Sequence, residues 1–526
     1  MIKIKNSIKV ISILLCCCFL YTVLLFSCKN YNRNSTHANV SFSSISKGEV
    51  LAEKYCQSCH LLPSPSWLDT KTWEKGVLPQ MGPRLGIMSY GLEMYPSSKS
   101  DRNLDTAFYP SKPLLTTEEW KNIIDYYVAT SPDSLPPQQR KYSIEKELPL
   151  FTFEDPRVGY ENPATSFVKI NSTDPLHALI TSDAMRRQMY FLNAQLQVTD
   201  SLLVKGPIVN LDSSLTGMLA CNIGILNPNN GKAGSGQYIN IQPGGKIVLD
   251  QALLLDSLQR PVQITETDFN NDHLNDYLVC EFGFLTGALS WMENTGNNKF
   301  KRHVLRPLPG AIKAYIEDYN HDGLKDIWVL FAQGEEGVFL FTNKGHGNFE
   351  QEEVLRFPPV YGSSYFELTD FNKDGYPDIV YTCGDNADYS PVLKPYHGVY
   401  IFMNDKTNHF KQQFFFPING CYKAIARDYD GDGDLDLATI SFFADYAHQP
   451  EESFVYLKNE GNFDFHPYTI LAATKGRWLT MDAGDLDGDG KIDLVLGNFS
   501  IGPAMMKAVT DWKKMPPFLI LKNTGK

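Results

Sequence analysis

Five nine-residue segments carry carboxylate or amide oxygens at matching places, and they constrain the fold of this chain more than any other feature. They read DFNNDHLND from Asp268, DYNHDGLKD from Asp318, DFNKDGYPD from Asp370, DYDGDGDLD from Asp428 and DLDGDGKID from Asp485. Their starts lie 50, 52, 58 and 57 residues apart, a period that marks a propeller or another array of repeats. Each is followed by an apolar run such as IWVLF, IVYT or LVLG, then by an aromatic run ending in Asn: LSWMEN, VFLFTN, VYIFMN, FVYLKN and FLILKN. Short apolar and aromatic runs between turn residues read as strands.

Oxygen ligands at positions 1, 3, 5 and 9 of such a loop, with Gly at position 6, suit calcium, a hard cation that takes about 6 to 8 oxygens. The candidate ligands are Asp268, Asn270, Asp272 and Asp276; Asp318, Asn320, Asp322 and Asp326; Asp370, Asn372, Asp374 and Asp378; Asp428, Asp430, Asp432 and Asp436; and Asp485, Asp487, Asp489 and Asp493. The last acidic residue stands at position 9 rather than 12 and no helices flank it, so this is not an EF-hand. One acidic turn would be commonplace in solvent, whereas five in register ahead of strands point to as many as five calcium sites. Solvated turns are the alternative. The first loop has His273 where Gly is expected, at a place that favours left-handed backbone, so its site is expected to be weaker. The last two loops carry four carboxylates each and the first three carry three, so affinity is expected to rise along the chain.

These loops resemble the FG-GAP, or VCBS-type, repeat of integrin-like β-propellers, over roughly residues 262–526. Upstream, TSFVKINSTDPLHALITSDAMRRQMYFLN and PIVNLDSSLTGMLACNIGIL keep the strand rhythm without metal ligands. Two such units with the five make seven, a common propeller number. The chain stops at PPFLILKNTGK, where earlier units continue into an outer strand, so LPLFTFED, residues 148–155, is the expected closing strand.

The N-terminal part differs. Residues 56–60 read Cys-Gln-Ser-Cys-His. In an exported protein this C-x-x-C-H pattern reads as covalent haem attachment, with each thiol on a vinyl group and the His on iron. A zinc site would need a second ligand pair, and no His or Cys follows before His177. A dithiol redox pair would need a βαβ context that is not visible. Ser46 and Glu49 read as a capping box opening a helix that ends at the thiols, and Thr116 and Glu119 as another opening EEWKNIIDYYVAT. Trp120, Ile123, Ile124, Tyr127 and Val128 form one helical stripe. The whole resembles a small class I-type cytochrome c domain. With no local second His, the sixth haem ligand is expected to be Met81, in a loop with Gly82 and Pro83, with Met88 and Met94 as alternatives.

The first residues order themselves as Lys3, Lys5 and Lys9, an apolar run from Val10 to Phe26, a small residue and Cys28, which is the pattern of an export signal. The ending LFSC resembles a bacterial lipobox, implying a lipid anchor at Cys28 on a membrane, the outer membrane above all, facing the periplasm or the cell surface. A retained membrane helix or an ordinary cleaved signal are the alternatives. The expected divisions are 1–27 signal, 28–45 tether, 46–130 haem domain, 131–147 linker and 148–526 propeller. Removing the three signal lysines takes the formal net charge of −12 to −15; the loops account for most of that acidity, which argues against nucleic acid. Cys221, Cys280, Cys383 and Cys421 read as small buried residues.

The expected architecture is therefore a small all-α cytochrome c domain followed by an all-β propeller of seven blades. Its expected role is an electron carrier, with one covalent haem c, that docks a redox partner protein. A propeller dehydrogenase oxidising sugars or alcohols, or an integrin-like module for adhesion or glycan binding, are the alternatives.

Overall fold

The computed structural model of the protein describes residues 40–156, 158–214, 217–297, 299–387, 389–502 and 511–525. The expected export signal and Cys28 lie outside the described residues. None of the described helices is long and apolar enough to cross a membrane.

Seven antiparallel sheets follow one another, each a meander in chain order. Blade 1 begins at Thr165–Ile170 and blade 2 at Ile208–Ser214. The five blades with acidic loops begin at Pro261–Thr267, Ala311–Glu317, Ser363–Thr369, Cys421–Arg427 and Trp478–Gly484. Blade 7 is composite: Phe151–Glu154 pairs with Phe518–Asn523, Phe151 opposite Asn523 and Glu154 opposite Ile520. The closing strand thus comes from the segment that the sequence nominates, and it ties the start of the propeller to its end. Blade 2 departs from the rule, since Leu255–Leu258 adds to the edge of Gly234–Ile241.

Burial explains the strand compositions. Second strands such as Asp326–Phe331 are buried at every residue, which is why they read as unbroken apolar runs, whereas the outer strand Phe349–Arg356 is largely exposed and rich in Glu. Trp291, Phe339 and Phe341 join residues of blades 3 and 4 in one core, so neighbouring sheets share their apolar faces. All four propeller cysteines are buried and free.

The inner strands are also stitched together by a closed circuit of side-chain-to-backbone bonds. Lys169 Nζ donates to Leu211 O at 3.3 Å, and Asp212 accepts from Glu266 N at 2.9 Å. Gln263 both donates to and accepts from the Ala314 backbone at 2.9 Å, and Tyr315 donates to Phe366 O at 3.3 Å. Glu367 accepts from Ala426 N at 2.8 Å, Lys423 donates to Met481 O at 2.8 Å, and Asp482 accepts from Ile170 N at 2.8 Å. Each blade reaches the next, and the seventh reaches the first.

In a four-stranded meander the first and third turns lie at one end of the blade and the middle turn at the other. All five acidic loops are first turns, so they share one end of the propeller. The helical unit occupies the opposite end. Its first helix, Phe42–Tyr55, starts earlier than the sequence suggests: the N-cap is Ser41, whose side chain accepts from Ser44 N, and Ser46 lies inside the helix. The reason is tertiary, because Ile45, Gly48 and Ala52 must all face the last helix. A Cβ at Gly48 would come 1.9 Å from Asn122 O, so only Gly allows the two helices this close. The last helix, Thr117–Thr130, has the expected capping box of Thr116 and Glu119 and buries Trp120, Ile123, Tyr127 and Val128.

The helical unit is seated on the propeller. Trp67 meets the Tyr361 ring edge-on at 6.1 Å, Tyr396 donates to Trp67 O at 3.0 Å, and Val360 and Val392 join the helical core. On blade 2, Asn230 donates to Asp101 at 2.9 Å. Residues 131–147 form a strap on the propeller wall: Arg140 pairs with the buried Glu452 and donates to Pro417 O at 2.8 Å, Tyr142 stacks on His466, and Glu145 bridges to Tyr468.

Candidate functional site

The five acidic loops share one internal geometry. In the first three, position 1 accepts from the backbone N–H groups of positions 5 and 6: Asp318 does so from Asp322 at 3.0 Å and Gly323 at 2.9 Å, and Asp268 and Asp370 do likewise. In the last two, position 1 accepts from positions 4 and 6: Asp428 from Gly431 at 2.8 Å and Gly433 at 3.0 Å, Asp485 from Gly488 at 2.7 Å and Gly490 at 3.0 Å. Both arrangements wind the loop so that positions 1, 3 and 5 converge. Asp428, Asp430 and Asp432 bring carboxylate oxygens within 4.8 Å of one another, and so do Asp485, Asp487 and Asp489. The other three loops converge similarly with an amide at position 3, where Asn270, Asn320 and Asn372 each donate to the position-5 carboxylate at 3.0 to 3.1 Å.

Left-handed backbone is needed at two places in each loop, of which the sequence signals one. His273 adopts φ 66° at position 6, and Asn271, His321 and Lys373 adopt 59°, 58° and 58° at position 4, where the last two loops have Gly431 and Gly488. The Gly-x-Gly spacing of those two loops was the available signal.

Position 9 is tied into the blade. Asp276, Asp326, Asp378, Asp436 and Asp493 are all buried. One oxygen of each accepts from the backbone N–H of the Asn that ends the third strand: Asn294, Asn343, Asn404, Asn459 and Asn523, at 2.7 to 2.8 Å. That Asn side chain then accepts from the following turn, for instance from Gly296 N at 3.0 Å and Gly461 N at 3.1 Å. The repeated Asn therefore locks the acidic loop to the neighbouring turn. Burial raises these carboxyls, to about 7 at Asp436 and about 6 at Asp493. Lysines flank the same loops: Lys458 stands 3.4 Å from Asp430, Lys406 3.4 Å from Asp374 and Lys522 2.5 Å from Asp487.

At the opposite end, Cys56 and Cys59 lie on and just past a short 3-10 turn that continues the first helix. Cys56 is half-buried against the helical core, Cys59 is exposed, and His60 is half-buried with Nδ1 at 2.8 Å from Leu61 O. If Nδ1 carries the proton, that bond leaves Nε2 as the ring nitrogen open to a ligand. Burial and the neighbouring Cys59 push the Cys56 thiol up to about 12, the reverse of what a nucleophilic dithiol needs. Met81 is not in an irregular loop. It ends the helical turn Leu78–Met81, which Pro79 initiates and which runs on through Gly82–Leu85 to Gly86, a left-handed residue at φ 76°. Met81 and Met88 are half-buried, whereas Met94 is 74% exposed on the hairpin formed by Ser89–Tyr90 and Glu93–Met94.

With five like loops on one end of seven blades, comparison with known families becomes specific. Residues 318–381 match the FG-GAP-like repeat. That repeat comprises the acidic loop of blade 4 and extends to the loop and second strand of blade 5, and the other three loops repeat its pattern. Cartilage acidic protein 1 of Mus musculus is 28% identical over 180 residues, which is 32% of this chain and 26% of that protein. The Homo sapiens protein of that name is 27% identical over the same length, with the same coverage. The matched segment thus spans about a quarter of these relatives. Among solved structures, Saccharomyces cerevisiae Sqt1 aligns with TM-score 0.42 and 7% identity, over 72% of this chain and 98% of that one. A protein from the S. cerevisiae complex of Dbp5 with Nup159 and Gle1 aligns with TM-score 0.40 and 8% identity, over 73% and 97%. The blade count rests on the strand pairing itself.

Proposed function

We propose that this chain is an exported haem c electron carrier, lipid-anchored at Cys28, whose calcium-binding propeller is a docking scaffold for a redox partner protein. The observation that carries it is the turn at the end of the first helix, where two free cysteines and a histidine with its Nδ1 already engaged stand together. The donor set fits haem c: two thiols on one face of a turn, beside an imidazole whose second nitrogen is open. Haem c bound there would supply one-electron transfer with no bond made or broken in a substrate.

The protein's own residues set the terms. The Leu61 carbonyl fixes the orientation of the His60 ring and raises its basicity as a ligand. Met81 or Met88 would supply the remaining ligand to such a haem, and the exposure of Met94 makes it the poorest of the three. At the other end, the acidic loops hold up to five calcium ions through positions 1, 3 and 5 with help from position 9, and so stiffen the surface presented to a partner. The strap and the Trp67 contact fix the helical unit to that scaffold, which suits docking at a defined distance.

Mass spectrometry after acid-acetone extraction tests the haem directly: one haem retained by the wild type is expected, and complete loss of haem would overturn the reading. Met81→Ala should abolish the weak sulfur-to-iron absorption of the oxidised protein and lower its potential. The same effect from Met88→Ala instead would move the ligand there. The FG-GAP-like repeat favours a second reading, an integrin-like docking or glycan-binding module, which stands alone if no haem is found. The dehydrogenase reading has no such support, and reduction of the haem by a sugar alone would revive it.

A further inference from the structure

Among the described residues, the wall of the channel along the propeller axis carries a cation, Lys313, that neither joins the circuit of inter-blade bonds nor pairs with a carboxylate. Five residues before each acidic loop the inner strands place Gln263, Lys313, Tyr365, Lys423 and Thr480 at one level. Gln263 and Lys423 are committed to the next blade's backbone, and Lys169 of blade 1 is committed likewise. Blade 4 makes its link through Tyr315 instead, two residues further on. Among the described residues Lys313 makes no hydrogen bond or ion pair; its Nζ lies over the Tyr315 ring, 4.7 Å from the centroid. Arg427, a further cation of this wall, is paired with Glu367 at 2.7 Å.

We propose that the channel binds a small, singly charged carboxylate at Lys313, walled by the Tyr315 and Tyr365 rings. The charge follows from the surroundings. Asp212, Glu367 and Asp482 face the same channel, so a dianion such as phosphate meets repulsion that a monoanion largely escapes. The wall chemistry follows from the rings: Lys423 Nζ covers the Tyr365 ring at 4.8 Å, and the Tyr315 and Tyr365 hydroxyls lie 3.3 Å apart. A carboxylate there meets one unmatched ammonium, a second one nearby and two aromatic flanks for a short apolar tail. The amine is held low, at about 8, by burial first and then by the Lys423 ammonium, with the Cys280 thiol, Glu367 and Asp212 pulling the other way. A bound carboxylate would relieve the Lys423 repulsion, which is a reason for it to bind. This inference does not depend on haem or on calcium.

Calorimetric titration of the full-length protein with propionate at pH 6.5, with chloride as ionic-strength control, tests it. Saturable heat is expected, with affinity falling at least about tenfold in Lys313→Gln, the loss of one charge-assisted hydrogen bond. Lys313→Arg should retain most of the binding, and affinity should fall as the pH rises past 8. Unchanged melting of both variants shows that the circuit is intact. Propionate binding that survives Lys313→Gln, tighter binding of inorganic phosphate than of propionate, or no saturable heat at all would each overturn the proposal.

Discussion

At one end of the propeller the chain repeats the same nine-residue solution five times; at the other, the connections follow no common pattern. Position 1 of every acidic loop accepts the same kind of backbone bonds, and position 9 of every loop is clamped to the Asn that ends the third strand. At the opposite end the connections run from the four residues 184–187 to the nineteen residues 499–517 between second and third strands, and the helical unit meets the blades in unrelated ways, among them an apolar contact at Val360 and Tyr396 and an amide at Asn230. The difference teaches which forces each end relies on. The repeated end needs only bonds within a blade. The other needs particular side chains distant in sequence.

The largest expected effect of a single substitution therefore comes from the unrepeated end. Arg140→Ala removes the partner of Glu452, which is wholly buried and otherwise held by Asn419 at 3.0 and 3.2 Å. Breaking a buried pair from one side costs about 3 to 5 kcal/mol, and chemical denaturation should show that loss. A drop below about 1 kcal/mol, the surface-pair range, would mean that the strap contributes little and the two ends are more alike than they look.

Calcium should act on the repeated end alone. A ligand that binds only the folded state stabilises it by about 2.7 kcal/mol per site at a hundredfold excess over Kd. Melting of the propeller, read by calorimetry with and without chelator, should move strongly, and Asp485→Ala or Asp428→Ala should remove more of that shift than Asp268→Ala. Equal shifts for all three variants, or none on chelation, would break the comparison at its acidic end.

The smallest effect sharpens it. His273 holds φ 66° in the one loop without Gly at position 6. His273→Gly should gain roughly 1 kcal/mol in the calcium-loaded protein, because a side chain there is strained, and should bring that loop's calcium dependence closer to that of blade 4. A loss of stability instead would show that the imidazole makes a contact worth more than the strain.

Much of the repeated end was legible because its information is local. The period, the five loops, the two blades without acidic loops and a closing strand within 148–155 all follow from spacing and alternation, since a strand's side-chain period and a loop's spacing of oxygens are set within a few residues. The role of the terminal Asn was half legible: its recurrence shows in LSWMEN and VFLFTN, but nothing in those runs says that it reaches back 17 or more residues to the buried Asp. The first helix shows the opposite case. Ser46 and Glu49 satisfy the local capping rule, yet the helix begins at Phe42 because burying Ile45 and Gly48 against Asn122 and Tyr126 outweighs one cap. Met81 likewise follows Pro79 into a helix, because Gly82 and Pro83 both accept helical backbone there and the turn ends only at Gly86.

By itself the sequence determined the repeat, the placing of oxygen donors along each loop and the pairing of two thiols with an imidazole, since covalent spacing alone brings those groups together. Only the tertiary structure decided where the helical unit rests, that residues 131–147 are a strap rather than a free linker, that seven inner strands close a circuit, and that Lys313 is left over from it. Those facts depend on residues tens to hundreds of positions apart, such as Arg140 and Glu452 or Ile170 and Asp482. No local propensity encodes such pairs; they exist only once burial of the blade faces has fixed every strand's neighbour.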